Sequence, residues 1–269
     1  MLVIFSGGSG VGKNTVIAEF LKREEFLLLP TYTTRNKREG ESEGNPYYFI
    51  TKEQFEQKIA DGEFYEYENV HGNYYGTSKK LLKHFKETGK ILLKDIDVLG
   101  THNLVERIGN DEKLVTIFLK VDSVEVLRQR LTMRGEKEIE KRLSRYEMEQ
   151  THQTEYDYII SNNELQTTKG YVDSLIATEQ KDATLKTATA KSIDLALVKE
   201  YQNSLESGER LSPIKIALSN GEFYILEGHE KYLASLVTNK RVPKEIINDY
   251  TVESVCQKDW QAVLATFSK

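Results

Sequence analysis

The chain has 269 residues, and its 37 Lys and Arg against 42 Asp and Glu give a formal net charge of −5 at pH 7. This acidic balance argues against a nucleic-acid binder or a polybasic membrane binder, because such proteins need surplus cations to replace condensed counterions. The single cysteine, Cys256, rules out an intrachain disulfide, and no apolar run approaches the roughly 20 residues that span a bilayer, so we expect a soluble cytoplasmic protein without a membrane partner.

Strand and helix patterns alternate over the first part of the chain, which predicts an α/β domain with a mainly parallel sheet. Leu2–Phe5 is a continuous apolar run bounded by glycine, typical of a strand buried on both faces. Val16–Lys22 then places its apolar side chains on one helical stripe. Further apolar runs predict strands at 91–93, 114–119 and 158–160.

The pattern changes near residue 165. Residues 178–191 are polar, threonine-rich and nearly without large apolar groups, which favours a linker, although an extension of the preceding helix fits almost as well. We therefore predict one domain over residues 1–180 and a small α+β domain over residues 190–269.

The C-terminal part predicts a hairpin between two helices. Asn220-Gly221 lies between two β-like runs, and this dipeptide favours the two-residue turn of a β-hairpin. Ser192 is a candidate cap for the helix before the hairpin, and Gly228 introduces another helical pattern after it. Apolar residues over 252–267 predict a closing amphipathic helix.

The segment between the first strand and the first helix has the spacing of a phosphate-binding loop. Its glycines let successive backbone N–H groups converge on phosphate oxygens, the helix N-terminus adds its dipole, and Lys13 reaches the terminal phosphates. Asn14 stands where a Ser or Thr hydroxyl normally contacts Mg²⁺, so we expect the ion that accompanies ATP to be held through water or by the amide oxygen. The predicted ATP-binding residues here are Gly8, Ser9, Gly10, Val11, Gly12, Lys13, Asn14 and Thr15.

The middle of the chain carries several motifs in close succession: Thr31–Arg35, Arg38–Glu41, Gly44–Phe49, Gly62–Tyr67, His71–Thr77 and Ile91–Asp97. Together with the phosphate loop they closely resemble guanylate kinases, in order and spacing, across roughly residues 1–180. The resemblance implies a P-loop nucleoside monophosphate kinase with a parallel sheet, a monophosphate-binding subdomain and a lid. It also implies transfer of the γ-phosphoryl group of ATP to GMP.

By that resemblance the middle segment binds the acceptor phosphate. Arg35 and Arg38 match the phosphate-clamping arginines of the family, and Tyr47 and Tyr75 match its phosphate-binding tyrosines. Guanidinium forks and phenol donors suit a dianionic phosphate. Glu41 matches an acidic position of the same motif, where we expect a supporting role.

The same resemblance assigns the acceptor base. Glu66 and Asp97 match acidic residues near the guanine, and guanine alone among the common purines presents donors at both N1 and N2, from which a carboxylate accepts. Thr77 matches a hydroxyl that contacts the base, and Thr31 stands where a serine is usual.

Four arginines crowd one stretch around Gly135: Arg128, Arg130, Arg134 and Arg142. Like charges so close need an anionic partner or solvent, and solvated helix faces explain most charge runs. Arg134 and Arg142 nevertheless resemble the lid arginines that close over the transferring phosphoryl group, so with Lys13 they are the predicted catalytic residues. Asn162 matches the family's loop at the donor adenine.

Motifs within residues 213–243 make the segment 190–269 resemble the ParB/sulfiredoxin-like domain, in which a strand–Gly–helix junction binds a nucleotide phosphate. The resemblance implies a second nucleotide site at Gly228, His229, Glu230 and Lys231, with Lys231 standing where arginine is usual. A packing domain whose Gly228 is only a turn glycine is the alternative. From residue 191 onward ten Lys and Arg face eleven Asp and Glu, which weakens a DNA-binding interpretation.

The leading hypothesis is therefore a guanylate kinase. A kinase for dGMP or a modified purine monophosphate is one alternative, and a catalytically inactive guanylate-kinase-like interaction module is another. Inactive modules typically lose phosphate-binding residues, whereas this chain keeps Lys13, Arg35, Arg38, Arg134 and Arg142. The sequence predicts no oligomeric state, and its histidines show no metal-ligand spacing.

Overall fold

The computed structural model describes residues 1–38, 40–70, 72–108, 113–181, 184–187 and 193–248. The chain divides into two compact units. Unit 1 comprises Met1–Gly7 and Gly12–Thr116, and unit 2 comprises Gly8–Val11 and Ile117–Lys269. In the described residues no helix combines the length and the apolar composition that crossing a bilayer requires.

Unit 1 contains, in chain order, β1 (Leu2–Ser6), α1 (Lys13–Phe20), β2 (Phe26–Leu28), β3 (Thr31–Thr33), β4 (Ser42–Glu43), β5 (Pro46–Phe49), α2 (Lys52–Ala60), β6 (Phe64–Val70), β7 (Asn73–Ser78), α3 (Lys79–Lys86), β8 (Ile91–Asp95) and α4 (Val98–Ile108). Parallel pairing joins β8 to β1 and to β2. A second, mixed sheet has the strand order β4-β5-β3-β7-β6.

An aliphatic core holds unit 1 together. It includes Leu2 and Ile4 of β1, Leu92 of β8 and Leu104 of α4, each at most 1% exposed. Burying such side chains contributes roughly 1.5–3 kcal/mol each, which anchors the strands whose ends carry polar groups. The predicted strand at residues 2–5 is confirmed, and the helix predicted to reach Lys22 ends at Phe20.

Strand β9 (Leu114–Lys120) belongs to unit 2 from Ile117 onward. The elements that follow in unit 2 are α5 (Val124–Met133), α6 (Ile139–Gln150), β10 (Tyr158–Ser161), α7 (Leu165–Gln180), β11 (Lys186–Thr187), α8 (Leu195–Glu206), β12 (Ile214–Ser219), β13 (Glu222–Glu227), α9 (His229–Thr238) and β14 (Lys244–Ile246). The strand order is β11-β13-β12-β14-β10-β9. Only β12 and β13 run antiparallel among these neighbours. The expected α/β fold, with mostly parallel strands, is confirmed.

The predicted hairpin is also confirmed. β12 pairs antiparallel with β13, and Asn220 and Gly221 adopt φ values of 51° and 77° at its turn. Positive φ at both central positions is the geometry that makes Asn-Gly the favoured two-residue turn.

The predicted linker is partly wrong. α7 extends to Gln180, and Lys186–Thr187 pair in parallel with β13 as β11. Leu185 is 4% exposed and so packs into unit 2, whereas residues 182–183 and 188–191 of the predicted linker lie outside the described residues. The candidate cap Ser192 and the closing helix at 252–267 lie outside the described residues, as does Cys256.

A separate C-terminal α+β domain is not confirmed. β14 pairs in parallel with both β10 and β12, so the C-terminal strands continue the sheet that contains β9 and β10. The described cap of α8 is Asp194, whose side chain accepts from the backbone N–H groups of Ala196 and Leu197. This short acidic side chain satisfies amides that the first helical turn leaves unpaired.

Candidate functional site

The phosphate loop ends at Lys13, the first residue of α1. Its Nζ donates to the carbonyl of Gly7 at 2.5 Å and lies 3.9 Å from Oδ1 of Asp95, at the end of β8. Gly12 precedes the helix with a φ of 100° and has no side chain to cap it. The first amides of α1 are thus free of a competing side-chain cap, as an anion site at a helix N-terminus requires.

The tip of the loop, Gly8–Val11, is held within unit 2. The carbonyl of Val11 accepts from Nδ2 of Asn162 at 2.7 Å and from Nη1 of Arg130 at 3.2 Å. Nη2 of Arg130 in turn donates to the carbonyl of Asn162 at 2.8 Å. The predicted adenine-loop residue Asn162 therefore holds the phosphate loop directly. Arg130 is a positioning residue that the sequence singled out only as part of an arginine cluster.

Two glycines of the tip are required by close packing. A Cβ at Gly8 would lie 2.4 Å from Cδ2 of Tyr146, and one at Gly10 would lie 2.9 Å from methyl carbons of Leu127 and Leu131. Gly10 also has a φ of +91°, which disfavours any other residue. The loop is thus seated on α5 and α6, which fixes its backbone.

The predicted lid arginines differ in their contacts. Nη1 of Arg142 donates to the Ser9 hydroxyl at 3.0 Å, and its Nε lies 2.7 Å from Glu136. Arg134 is exposed at the end of α5, and among the described residues its side chain forms no hydrogen bond or ion pair. Arg128 pairs with Glu140 on the surface. The structure therefore brings Arg142, but not Arg134, to the phosphate loop.

In unit 1, Arg35 lies beside an acidic side chain and aromatic rings. Its Nη2 donates to Oε1 of Glu41 at 2.7 Å, and its guanidinium lies 5.1 Å from the ring centroid of Tyr47. The Tyr47 and Tyr75 rings are 5.9 Å apart at 68°. Glu41 also accepts from the backbone N–H of Arg38 at 2.7 Å. The supporting role of Glu41 stays a prediction, and the Arg38 side chain is exposed.

The protonation states in this cluster suit phosphate binding. The hydrogen bond from Arg35 lowers the pKa of Glu41, which stays a carboxylate. Burial raises the pKa of Tyr47 to about 12, and the Asp95 carboxylate adds to that shift. At neutral pH the cluster offers a guanidinium and a protonated phenol, both of them donors to a phosphate dianion.

Glu66 and Thr77 form a buried pair on neighbouring strands β6 and β7. They are 5% and 0% exposed, and the Thr77 hydroxyl donates to Oε1 of Glu66. Burial raises the pKa of Glu66, whereas the charge of Lys94 and the Thr77 hydrogen bond lower it. No described residue donates a hydrogen bond to the second carboxylate oxygen of Glu66, so this oxygen can accept from the edge of a base.

Asp97 lies where β8 leads into α4. Its Oδ1 accepts from the backbone N–H of Gly100 at 2.9 Å, and its carbonyl accepts from the Thr101 hydroxyl at 2.8 Å. Oδ1 of Asp97 therefore caps the first turn of α4.

Three residues that interact with Glu66 and Asp97, directly or through Glu68, were not predicted from the sequence. Lys94 is buried in β8 and donates from Nζ to Oγ1 of Thr31 at 2.8 Å. Glu68 accepts from Nδ2 of Asn103 at 2.7 Å, and burial together with the Asp97 charge raises the pKa of Glu68. Lys94 follows the apolar run 91–93, and a single charged residue there does not change the predicted strand. Glu68 and Asn103 are far apart in the sequence, so no local motif indicates that they interact.

The structure offers no protein-built metal centre among its described residues. No group of three acidic, His or Cys side chains there could hold an ion. Asn14 and Thr15 are exposed at the start of α1. Such donors fit an Mg²⁺ ion that arrives on nucleotide phosphates and keeps several waters, rather than one caged by the protein.

The predicted second nucleotide site is engaged in internal contacts. His229 is 2% exposed, and its Nε2 lies 2.6 Å from the Thr187 hydroxyl. Nζ of Lys231 donates to the Ser212 hydroxyl at 2.5 Å. Gly228 has a φ of 90° and packs against Ile214. Binding of a nucleotide at Gly228–Lys231 stays a prediction, and the packing alternative accounts for these contacts.

Known proteins match the first two thirds of the chain. Residues 1–179 match the family described as guanylate kinase. A guanylate kinase of Clostridium tetani is 35% identical over 183 residues, which cover 67% of this chain and 86% of that protein. One from Chlorobium chlorochromatii is 40% identical over 168 residues, covering 61% and 87%. The crystal structure of guanylate kinase from Anaplasma phagocytophilum is similar, with a TM-score of 0.54 and 32% identity over 67% of this chain and 85% of that one.

Proposed function

The chain belongs to the guanylate kinase family, and from this premise we propose how its residues act. It is a phosphotransferase that moves the γ-phosphoryl group of ATP to GMP, giving ADP and GDP. The assignment of roles to individual residues is the proposal. The observation that carries it is the Arg35–Glu41 pair beside the rings of Tyr47 and Tyr75, a donor cluster suited to a monophosphate.

For ATP, the loop residues Gly8–Thr15 bind the phosphates. Backbone N–H groups of the loop and of the N-terminus of α1 donate hydrogen bonds to phosphate oxygens, while the side chains of Lys13 and Arg142 supply positive charge. The contacts of Lys13 with Gly7 and of Arg142 with Ser9 support this, since both cations already lie on the loop. Asn162 secures the loop through Val11 and is the proposed neighbour of the adenine.

For GMP, Arg35, Arg38, Tyr47 and Tyr75 bind the phosphate, and Glu41 orients Arg35. Thr31, Glu66, Thr77 and Asp97 read the guanine. Glu66 supplies the acceptor that guanine N1–H or N2–H requires, and its hydrogen bond from Thr77 leaves the second carboxylate oxygen available.

Catalysis in this proposal is electrostatic. Lys13, Arg134 and Arg142 neutralise charge that develops on the transferring phosphoryl group, and no covalent intermediate is formed. Asn14 would hold Mg²⁺ through water or by its amide oxygen, and the ion would supply a further positive charge at the ATP phosphates. The segment around Gly135 is the proposed lid, and the exposure of Arg134 supports a side chain that can move onto ATP.

The experiment that tests this function is a coupled ADP-release assay with GMP, dGMP, AMP and UMP as acceptors. We expect turnover with GMP and no comparable turnover with AMP or UMP. Preference for dGMP would favour the alternative of a deoxynucleotide kinase. A lack of turnover with every acceptor would favour the inactive interaction module over the proposed residue roles.

Other expectations remain proposals. They are the division into domains 1–180 and 190–269, the ParB/sulfiredoxin-like resemblance of the second of these, a cytoplasmic location, and the absence of nucleic-acid partners. Each rests on the sequence patterns, and the family match, which ends at residue 179, does not extend to the C-terminal segment.

A further inference from the structure

Lys94 places a positive charge beside an aliphatic core. Lys94 lies on the same face of β8 as the core residue Leu92, and it is 1% exposed. Burying an ammonium group is costly, so such a side chain persists where its charge or its donors have a use. Among the described residues, the hydrogen-bond acceptor for Nζ is Oγ1 of Thr31 at 2.8 Å.

The charged groups that act on Lys94 come from β6 and β8. Glu66 and the neighbouring Asp95 both favour its ammonium form, and burial opposes it. Glu66 is the carboxylate assigned to the acceptor base, and Asp97 and Glu68 act on Glu66 in turn. Lys94 therefore lies within the electrostatic surroundings of the base pocket, although it is sealed from solvent.

The direction of the Lys94–Thr31 hydrogen bond is fixed by chemistry. An ammonium has three donors and no acceptor, so the Thr31 hydroxyl oxygen must accept. The single hydroxyl proton of Thr31 then points elsewhere and is available for an acceptor atom. A hydroxyl, which otherwise donates or accepts, is thereby reduced to a donor.

We propose that Lys94 is a specificity-determining positioning residue, which fixes Thr31 as a hydrogen-bond donor and so selects 6-oxopurine over 6-aminopurine monophosphates. The carbonyl oxygen of a 6-oxopurine accepts from Thr31. Adenine carries an amino group at the same position. The N–H donors of that group would point at the donating Thr31 hydroxyl, and both would be buried without a hydrogen-bond acceptor. This inference rests on the proposed function, because it requires Thr31 to face the acceptor base.

The test compares the wild-type chain with Lys94→Met, which keeps the length of the side chain and removes its donors. The acceptors are GMP and inosine monophosphate, which carry the 6-oxo group, and AMP and 2-aminopurine riboside monophosphate, which lack it. We expect kcat/KM for both 6-oxopurines to fall about tenfold to hundredfold. For AMP it should rise, because the Thr31 hydroxyl, no longer held by Lys94, can accept from the 6-amino group. For 2-aminopurine riboside monophosphate, which carries no substituent at position 6, it should change less than about twofold.

Variants of Thr31 show whether Lys94 acts through that hydroxyl. Thr31→Val should weaken the preference for 6-oxopurines, with the acceptor Glu66 still in place, and Thr31→Ser, which keeps the hydroxyl, should retain it. In the Thr31→Val background, Lys94→Met should have little further effect, because the group that it orients is gone. If Lys94→Met does not fold, Lys94→Leu, which matches the neighbouring Leu92, takes its place.

Two outcomes would overturn the inference. One is an unchanged ratio of GMP to AMP turnover in a folded Lys94 variant, and the other is fully additive losses from the Lys94 and Thr31 substitutions. Neither outcome counts against the proposed function as long as the wild-type chain phosphorylates GMP. Failure of the wild type with GMP would instead count against the proposed function itself.

Discussion

Arg142 of α6 reaches the phosphate loop and donates to the hydroxyl of Ser9 at 3.0 Å. Its Nε lies 2.7 Å from Glu136, near the start of α6, so one guanidinium connects the loop with the proposed lid segment. A planar fork with several donors can keep one contact while it turns another toward a phosphate. Arg142 can thus contact a phosphate bound at the loop while it keeps its contact with Glu136.

Replacing Arg142 with Ala should lower kcat by about 10²-fold or more, because a cation at developing charge stabilises the transition state far more than the ground state. Arg142→Lys should recover part of this loss, since it restores charge without the fork. The measurement is steady-state kinetics with ATP and GMP. Arg128→Ala is the control, since Arg128 pairs with Glu140 at the surface. Equal losses in the Arg128 and Arg142 variants would mean that the loop contact is incidental.

Lys13→Ala should lower turnover by about 10²-fold or more while leaving the thermal unfolding midpoint close to that of the wild type. Lys13 is partly exposed, and its contact with the Gly7 carbonyl adds little to folding. Lys22→Ala, which removes an exposed lysine just beyond α1, is the matched control. Undiminished GMP-dependent ATP consumption in Lys13→Ala would contradict the role assigned to the loop.

Glu66→Gln should reduce discrimination of GMP over AMP by roughly 1–3 kcal/mol. The hydroxyl of Thr77 will hold the amide oxygen, as it now holds Oε1, and this turns the amide N–H₂ toward the base. A donor then faces the N1–H of guanine. The measurement is the ratio of kcat/KM for the two nucleotides, with Glu63→Gln as control. A wild-type ratio in Glu66→Gln would show that this carboxylate does not read the base.

Local chemistry made much of the fold predictable. The Asn220-Gly221 turn and the glycine-rich loop depend on backbone conformations that few residues adopt, so a short stretch of sequence indicates them. The supporting role expected of Glu41 stays a prediction, for which its hydrogen bond from Arg35 supplies a geometry.

Long-range pairing was not predictable in the same way. β14 has three residues, and its strand character comes from pairing with β10 and β12, which no local pattern indicates. The contribution of Lys94 likewise depends on Thr31, which is 63 positions away. Residues that join distant strands carry no periodic signal, and this is why the continuation of the sheet into the C-terminal segment and the buried lysine were missed.

Lys94→Met should raise the stability of the fold at neutral pH. Burial lowers the pKa of Lys94 from 10.5 to about 8, so the unfolded chain binds the proton more tightly than the folded one. That difference costs the wild type about 3 kcal/mol below pH 8, and the cost disappears as the pH rises toward 10.5.

The measurement is the unfolding midpoint of both proteins from pH 7 to pH 10. The advantage of Lys94→Met should be largest at pH 7 and should shrink above pH 8. Lys83→Met, an exposed substitution on α3, should show no such trend. A difference in unfolding midpoint that stays constant across this range would mean that the ammonium form of Lys94 does not destabilise the folded protein.

Asp157→Asn should destabilise the chain through the C-terminal segment. Asp157 precedes β10 and is 7% exposed, and its Oδ2 accepts from Nη1 of Arg241 at 2.7 Å. Its backbone carbonyl accepts from the N–H of Lys244 at 2.9 Å, at the start of β14. Burial lowers the pKa of Lys244, and the Asp157 carboxylate opposes that shift, so the substitution removes a favourable charge from two cations.

The expected loss is about 1–3 kcal/mol, because Arg241 is largely exposed and only Asp157 is buried. This corresponds to a fall of about 2–4 °C in the unfolding midpoint per kcal/mol. Glu227→Gln, which breaks the exposed pair with Lys215, should shift the midpoint far less. If the C-terminal segment folded independently of β10, Asp157→Asn would leave the main transition of the full chain unchanged. A lowered midpoint would instead mean that the segment beyond residue 190 is stabilised by the strand that leads to Asn162, and hence to the phosphate loop.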